Sequence, residues 1–599
     1  MAIVTSILFI IAFISYISGA LLCPIGKEEQ NRPVQGFQTI IYQCIVLMNI
    51  TAFAAVVFNK IHIPITLFTT SVFILFLSGI LWGIILYKKE KNVIFWSKTD
   101  GISMAILIIV VGFISAKMFN FSLEVTYPIQ DAANHFASAV NTIQWKCLVN
   151  YPFAPYINAC LMSLVQPLFG KTEIYKTFIL TDIIFHIFEI LIVYSIFADI
   201  SKKRISKIAS VIFSIIYFMG YPYLCFTYGF IRQQRALLLV LGIIYCILKK
   251  KKHSNIILFY TLILIQLFDI LESYPLYLAQ AGMIVAVDCF FLYKKRIISF
   301  FRSNIGKFTV FFGGTLAIAM SYVVYLKFDA VKNNLSEAGG TYFSPYSDLI
   351  YFIPPIIIVI VALWKSKQKK RTNLICANII IACVAVTMVE FILWWNGMMS
   401  SYYYYKAYSI LWFVGWLASV YAIEILEEKK QTKELLFYGG IILSLCLIQG
   451  TKINTILVEK DSQIENGSMR TNYYNLLAEN YSQILEEERK NYFPSDIEDA
   501  YAYMKKYYEK ENICYIATEK ERNTYVWLCA ASDVVPYEIS SESTDINEIN
   551  NVGNYLKIDC IMINKLSTIY LKNQKKIEQM KCIYQNDTVV LIQKDGEEW

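Results

Sequence analysis

The chain has 599 residues, 56% hydrophobic and only 17% charged, with a net charge of +8 and mean hydropathy of +0.47. A soluble chain of this size would be about half apolar and about a quarter charged. This excludes a cytosolic enzyme, a disordered scaffold and a secreted disulfide module, and points to a polytopic α-helical membrane protein. The charge is unevenly placed: residues 451–599 carry a net of −8 and the remainder a net of +16. A basic membrane block, residues 1–450, is therefore expected to precede an acidic soluble tail, residues 451–599.

A helix needs roughly 20 apolar residues to cross a hydrocarbon core of about 30 Å. Suitable windows lie near 2–22, 35–58, 63–87, 99–119, 174–199, 206–221, 235–250, 254–272, 274–293, 307–326, 348–365, 374–395, 404–426 and 434–450. The first lacks a basic leader and a small-residue cleavage site, so it reads as a retained helix. A shorter stretch, 153–170, is broken by Pro155 and Pro167. Basic runs at Lys88-Lys89-Glu90-Lys91, Lys202-Lys203-Arg204, Lys249 to Lys252, Lys294-Lys295-Arg296, Lys367 to Arg371 and Lys429-Lys430 should all face the cytoplasm. They do so only if 153–170 stays at the outer interface or re-enters. The expectation is a bundle of about 14 transmembrane helices with both termini outside. Residues 120–173 then form one large early external loop, with shorter external segments at 222–234, 327–347 and 396–403.

The tail reads as an extracytoplasmic α/β unit. Helical patterns lie at 472–489, 495–509 and 567–580, and strand-like runs at Cys514 to Ala517, Tyr525 to Leu528, Ile558 to Ile563 and Val589 to Ile592. Of 14 cysteines none forms a Cys-x-x-Cys pair. Cys514, Cys529, Cys560 and Cys582 suit either disulfides or buried thiols.

Ionisable groups at membrane depth are costly, and are retained for function or for mutual pairing. In the external loop, Glu124 precedes Asp131 and His135, which share a helix face at i, i+4. A carboxylate there can accept a proton from an acceptor hydroxyl, or simply cap an interfacial helix. Asp131 and His135 could also hold a divalent metal, a thin ligand set. Asp182, His186 and Glu189 follow at i, i+4, i+7, fitting either a proton relay or an internal hydrogen-bond network. Asp269 and Glu272 could border the same cavity. External cations are scarce: Arg232 and Arg235 open one span, and Lys406 follows a run of four tyrosines at another. They could hold a lipid-linked phosphate or snorkel to head groups.

Residues 120 to about 250 resemble the GT-C superfamily of polyprenyl-phosphate-sugar-dependent membrane glycosyltransferases, whose relatives include O-mannosyltransferases and aminoarabinose transferases. The matching residues are Asp131, Tyr151-Pro152-Phe153-Ala154-Pro155-Tyr156, Leu168-Phe169-Gly170, Lys176 and the run Tyr228 to Leu248. The acidic position is a single Asp131, and Lys176 stands where arginine is more usual. The resemblance implies a GT-C-like bundle and inverting transfer of a sugar from a polyprenyl-phosphate donor to an extracytoplasmic glycan, lipid or protein. Asp131 would be the base, with Glu124 beside it. His135, Lys176, Arg232, Arg235, Lys406 and Glu272 would bind substrate or phosphate. The expected location is a bacterial plasma membrane, with no nucleic-acid partner. Alternatives are a transporter or lipid-linked sugar flippase using Asp182, His186 and Glu189, a polysaccharide polymerase or ligase, and a non-catalytic GT-C-like scaffold.

Overall fold

The computed structural model describes residues 2–23, 34–89, 91–148, 153–249, 256–302, 356–357, 359, 371–428, 484, 489–507, 513–516, 522–532 and 560–593. The apolar windows 307–326 and 434–450, nearly all of 348–365, and the tail pattern 472–489 lie almost wholly outside them.

The apolar windows fold as helices, α1 Ala2–Leu22, α2 Gly36–Lys60, α3 Leu67–Lys88 and α4 Lys98–Phe119, with the short strand β1 Val34–Gln35 paired parallel to β2 Ile94–Phe95. The loop residues 120–173 contribute α5 Asp131–Trp145 and α6 Phe153–Val165. The chain continues through α7 Ile174–Ile200, α8 Arg204–Phe218, α9 Tyr221–Tyr228, α10 Ile231–Lys249, α11 Ile256–Ser273 and α12 Leu278–Arg302. After the undescribed stretch come α13 Arg371–Trp395 and α14 Ser401–Glu428. Among the described residues nine helical segments are long and apolar enough to cross a membrane, α8 and α9 counting as one. The protein is a polytopic helical membrane protein.

Local chemistry fixes where these helices start and bend. Thr66 and Thr69 form a reciprocal capping box at the head of α3. Ser97 caps α4, whose first-turn Asp100 takes bonds from Gln35 and Tyr194. The break between α8 and α9 falls at Gly220, where a side chain would strike the Trp412 indole at 2.3 Å.

Side-chain and backbone bonds sort the turns to two ends. At one, Asn92 reaches the carbonyls of Leu21 and Cys23, Lys249 pairs with Asp199 at 2.5 Å, and the Glu424 carboxylate accepts from the backbone of Lys202 and Lys203. Those residues flank three of the basic runs, making this the basic end. At the other, the loop end, Ile65 bonds Lys146, Asn59 accepts from the Leu148 amide, and Arg232 reaches the Ser273 carbonyl. With 13 residues α6 is about 20 Å long, shorter than the bilayer core. Its Leu164 carbonyl accepts from Ser6 and its Tyr156 hydroxyl meets Thr70, each within about a turn and a half of a helix end at the loop end. So α6 stays at that end while helices on either side of it cross.

Beyond the bundle, α15 Ser495–Tyr507, β3 Ile513–Ile516, α16 Arg522–Ser532, β4 Cys560–Asn564, α17 Thr568–Ile577, β5 Cys582–Gln585 and β6 Val589–Gln593 are described. The sheet order is β3-β4-β6-β5, with β3 parallel to β4 and the other pairs antiparallel. Alternation along β4 and β6 divides its two faces. Ile561, Ile563, Val590 and Ile592 pack on Ile569 and Ile577 of α17. Cys560, Met562, Val589 and Leu591 join the large core shared with α15, α16 and the bundle. One expectation is corrected here: Tyr525 to Leu528 is part of a helix, not a strand. Trp527, Leu528 and Ala531 are all buried, so a helical face wins over the local β preference of Tyr, Val and Trp. Cys560 is buried in the sheet and Cys582 is an exposed free thiol; the side chains of Cys514 and Cys529 lie outside the description.

Candidate functional site

Two clusters of charge meet near the loop end. The first is a sealed network on α7 and α10. Asp182, His186, Glu189 and Arg235 are at most 1% exposed. Each carboxylate oxygen has a donor: Asp182 takes Arg235 at 3.2 Å and Tyr127 at 2.9 Å, and Glu189 takes Tyr217 at 2.8 Å and Gln234 at 2.9 Å. His186 lies between them, Nδ1 3.3 Å from Glu189 and Nε2 3.8 Å from Asp182. The Arg235 guanidinium also donates to Gln234, reaches Asn158 of α6 at 3.2 Å, and rests 3.4 Å from the centre of the Phe185 ring. Burial, then the Asp182 charge, pushes the Tyr127 phenol well above its ordinary value, so it remains a donor.

The second cluster is more open. Asp131 begins α5 and is half-buried, as is His135 one turn on. Lys406, at the head of α14, bonds the Tyr402 hydroxyl and lies 3.9 Å from the centre of the Phe230 ring. It feels the charges of both Asp131 and Arg232. His135 in turn feels Arg232, Arg235 and Lys406; burial first, then these cations, press its pKa down to about 3. At neutral pH its imidazole is uncharged, able to donate one hydrogen bond and accept another. A polar lattice supports the cations. Gln233 donates to Tyr277, whose hydroxyl donates to the Lys406 carbonyl, and Arg232 is aimed by the Ser273 carbonyl. Buried Thr227 Oγ1, Ser273 Oγ and Tyr274 OH have no hydrogen-bond partner among the described residues.

Gly229 sets the spacing between the halves. Its φ is +66°, and a side chain there would overlap Ala132 at 2.4 Å and Tyr127 at 2.9 Å. The backbone of the turn before α10 therefore lies directly against the first turn of α5. That contact brings Asp131 and His135 beside Arg232 and Lys406.

Of the residues singled out in sequence, Asp131, His135, Arg232 and Lys406 thus gather together. Arg235 belongs to the sealed network, committed to Asp182 and Asn158. Lys176 is occupied by Glu173 at 2.7 Å and by Glu498 of α15 at 3.5 Å, so its charge ties the tail to α7. Glu124 accepts from Asn120 and Ser122, closing the turn after α4. Glu272 is half-buried near Asp269 and precedes the Ser273 that aims Arg232. The motif residues Tyr151 and Pro152 lie outside the described residues. Sequence reasoning missed Tyr127, Asn158, Tyr217 and Gln234, whose roles depend on partners 28 to 77 residues away. It also missed Trp527.

Among the described residues no three His, Cys, Asp or Glu side chains converge as metal ligands. Asp131 and His135 alone do not make a resident metal centre. No family model matches the chain, and none of the curated proteins or solved structures matches it either.

Proposed function

We propose that this protein is a membrane glycosyltransferase that moves a sugar from a polyprenyl-phosphate donor to an acceptor at the loop end, with inversion. The reading takes the loop end as extracytoplasmic, because the basic runs collect at the other end. The observation that carries it is the gathering of one half-buried carboxylate, Asp131, with two cations, Arg232 and Lys406, from three separate elements. The resemblance of residues 120–250 to the GT-C superfamily supports it, including a GT-C-like bundle of about 14 helices and an external α/β tail.

In this reading the acceptor hydroxyl attacks the anomeric carbon on the face opposite the phosphate. The hydroxyl proton passes to the Asp131 carboxylate as the new C–O bond forms. The bond from the anomeric carbon to the phosphate oxygen breaks, and the polyprenyl phosphate departs with that electron pair. Arg232 and Lys406 meet the growing negative charge, where preorganised cations act most strongly. Neutral His135 orients the acceptor. Neither Arg235 nor Lys176 has a role in this step, being spent on carboxylates of the protein.

Asp131→Asn should abolish transfer from a polyprenyl-phosphate sugar in reconstituted membranes while leaving insertion intact. Full transfer by that variant would remove Asp131 from the mechanism. The transporter reading draws less support, since every carboxylate oxygen of Asp182 and Glu189 is satisfied by a protein donor in a sealed site.

A further inference from the structure

The tail packs against the segment that carries Asp131 and His135 through Trp527. Trp527 of α16 is buried between two rings, stacked on Tyr127 with centroids 5.8 Å apart and on Phe136 at 5.2 Å. Its edge meets Phe178 of α7 at 6.0 Å. Those three rings come from the segments that frame the site. Phe136 follows His135 on α5, and Phe178 lies one turn before Asp182 on α7. Tyr127 precedes Asp131 and bonds Asp182. Around this plug, the Tyr492 amide bonds the Val125 carbonyl at 2.7 Å, Phe493 packs on Tyr175 at 4.9 Å, and Arg489 bonds the Tyr223 hydroxyl at 2.9 Å. The segment 123–136 is thus clamped, with Gly229 against Ala132 on one side and Trp527 against Tyr127 and Phe136 on the other.

We propose that Trp527 is a positioning residue of this site: the tail helix α16, through the Trp527 ring, holds α5 so that Asp131 and His135 face Arg232 and Lys406. The inference rests on the reading of those four residues as a site, but not on the reaction assigned to it. A helix of 15 residues is marginal alone, and what fixes it is packing of its buried face. Ala132, Phe136, Ala139 and Val140 form that face, and Trp527 covers its Phe136. The indole Nε1 has no hydrogen-bond partner among the described residues, so the ring faces carry the contact. Phenylalanine should therefore substitute where alanine cannot.

The experiment uses the full chain in nanodiscs and compares Trp527→Ala with Trp527→Phe. Hydrogen exchange is followed across residues 127–145 and, as a reference, across α8. The chain has only four histidines, so selective labelling resolves the His135 titration. Trp527→Ala should speed exchange in 127–145 at least tenfold with α8 unchanged, and move His135 titration up from about 3 toward the ordinary 6.5. Trp527→Phe should restore both readings. Unchanged exchange and an unchanged His135 in the alanine variant would overturn the proposal. So would an equal rise in α8, which marks general destabilisation. Trp527→Leu carries the same comparison if the alanine variant does not accumulate. Loosening of α5 in Trp527→Ala together with no sugar transfer from a polyprenyl phosphate by the unsubstituted chain would overturn the transferase reading and leave this inference standing.

Discussion

Arg232 and Arg235 stand on the same helix, three residues apart, yet belong to opposite arrangements. Arg235 is fully buried, paired with Asp182 and Asn158 inside a network where Tyr127, Tyr217 and Gln234 serve the remaining carboxylate oxygens. Arg232 shares its surroundings with Lys406, half-buried Asp131 and His135, and hydroxyls of Thr227, Ser273 and Tyr274 that have no partner among the described residues. Arg235 Nε, His186 Nδ1 and Asn158 Nδ2 also have no hydrogen-bond partner among the described residues, but a cation paired with a buried carboxylate is held for structure, because a ligand would have to break that pair. Arg232 is only half-buried, so a ligand can reach it without breaking that pair. The difference separates two kinds of arginine that the sequence presents as equals.

The largest effect should follow from breaking the sealed network. Arg235→Met leaves Asp182 buried without its cation, a change that costs about 3–5 kcal/mol when one partner of a buried pair is removed. The expected result is a marked drop in the thermal unfolding midpoint in detergent, partly recovered by adding Asp182→Leu. A midpoint equal to wild type would show that the two arginines do not differ as argued here.

Gly229→Ala tests the contact that joins α5 to the second cluster. A non-glycine residue at positive φ costs about 1–2 kcal/mol, and the overlap with Ala132 adds to it. Because the strain falls between Asp131 and Arg232, transfer activity should fall more than thermal stability, and paired measurements of both check this.

His135 gives a smaller, pH-dependent effect. Its pKa is lowered on folding, so the unfolded chain binds the proton more readily. The His135 contribution to stability is complete above about 6.5 and is lost as pH falls toward about 3. His135→Asn should flatten the stability profile over that window, measured by denaturation between those pH values, and leave it unchanged above pH 7.

Lys406→Met should have the smallest effect on stability, within about 1 kcal/mol, because an apolar side chain of similar length replaces a cation that no carboxylate pairs with among the described residues. Binding of a short-chain polyprenyl phosphate should nonetheless weaken at least tenfold. Retained affinity in a titration would place the anion elsewhere.

Much of the architecture was legible in the amino-acid order. The apolar windows within the described residues became helices, nine segments of them long and apolar enough to cross a bilayer, and the basic runs marked one end. Pro155 and Pro167 hinted at the short α6, whose 13 residues lie at the loop end. Local preference misled at Tyr525 to Leu528, where Trp527 chose a helix in order to bury its ring against the loop. It also gave no warning that Lys176 would find Glu498, more than 300 residues away.

By itself, then, the sequence determined the solvent of this protein, its helical apolar segments and the small set of ionisable residues at the loop end. Those depend on composition and local periodicity, which act over a few turns. Only the tertiary structure decided which of those residues are already satisfied. Neutralisation depends on groups within a few ångströms, and here Asn158, Tyr217, Gly229 and Trp527 arrive from distant parts of the chain to seal Arg235 and to hold Asp131 beside Lys406.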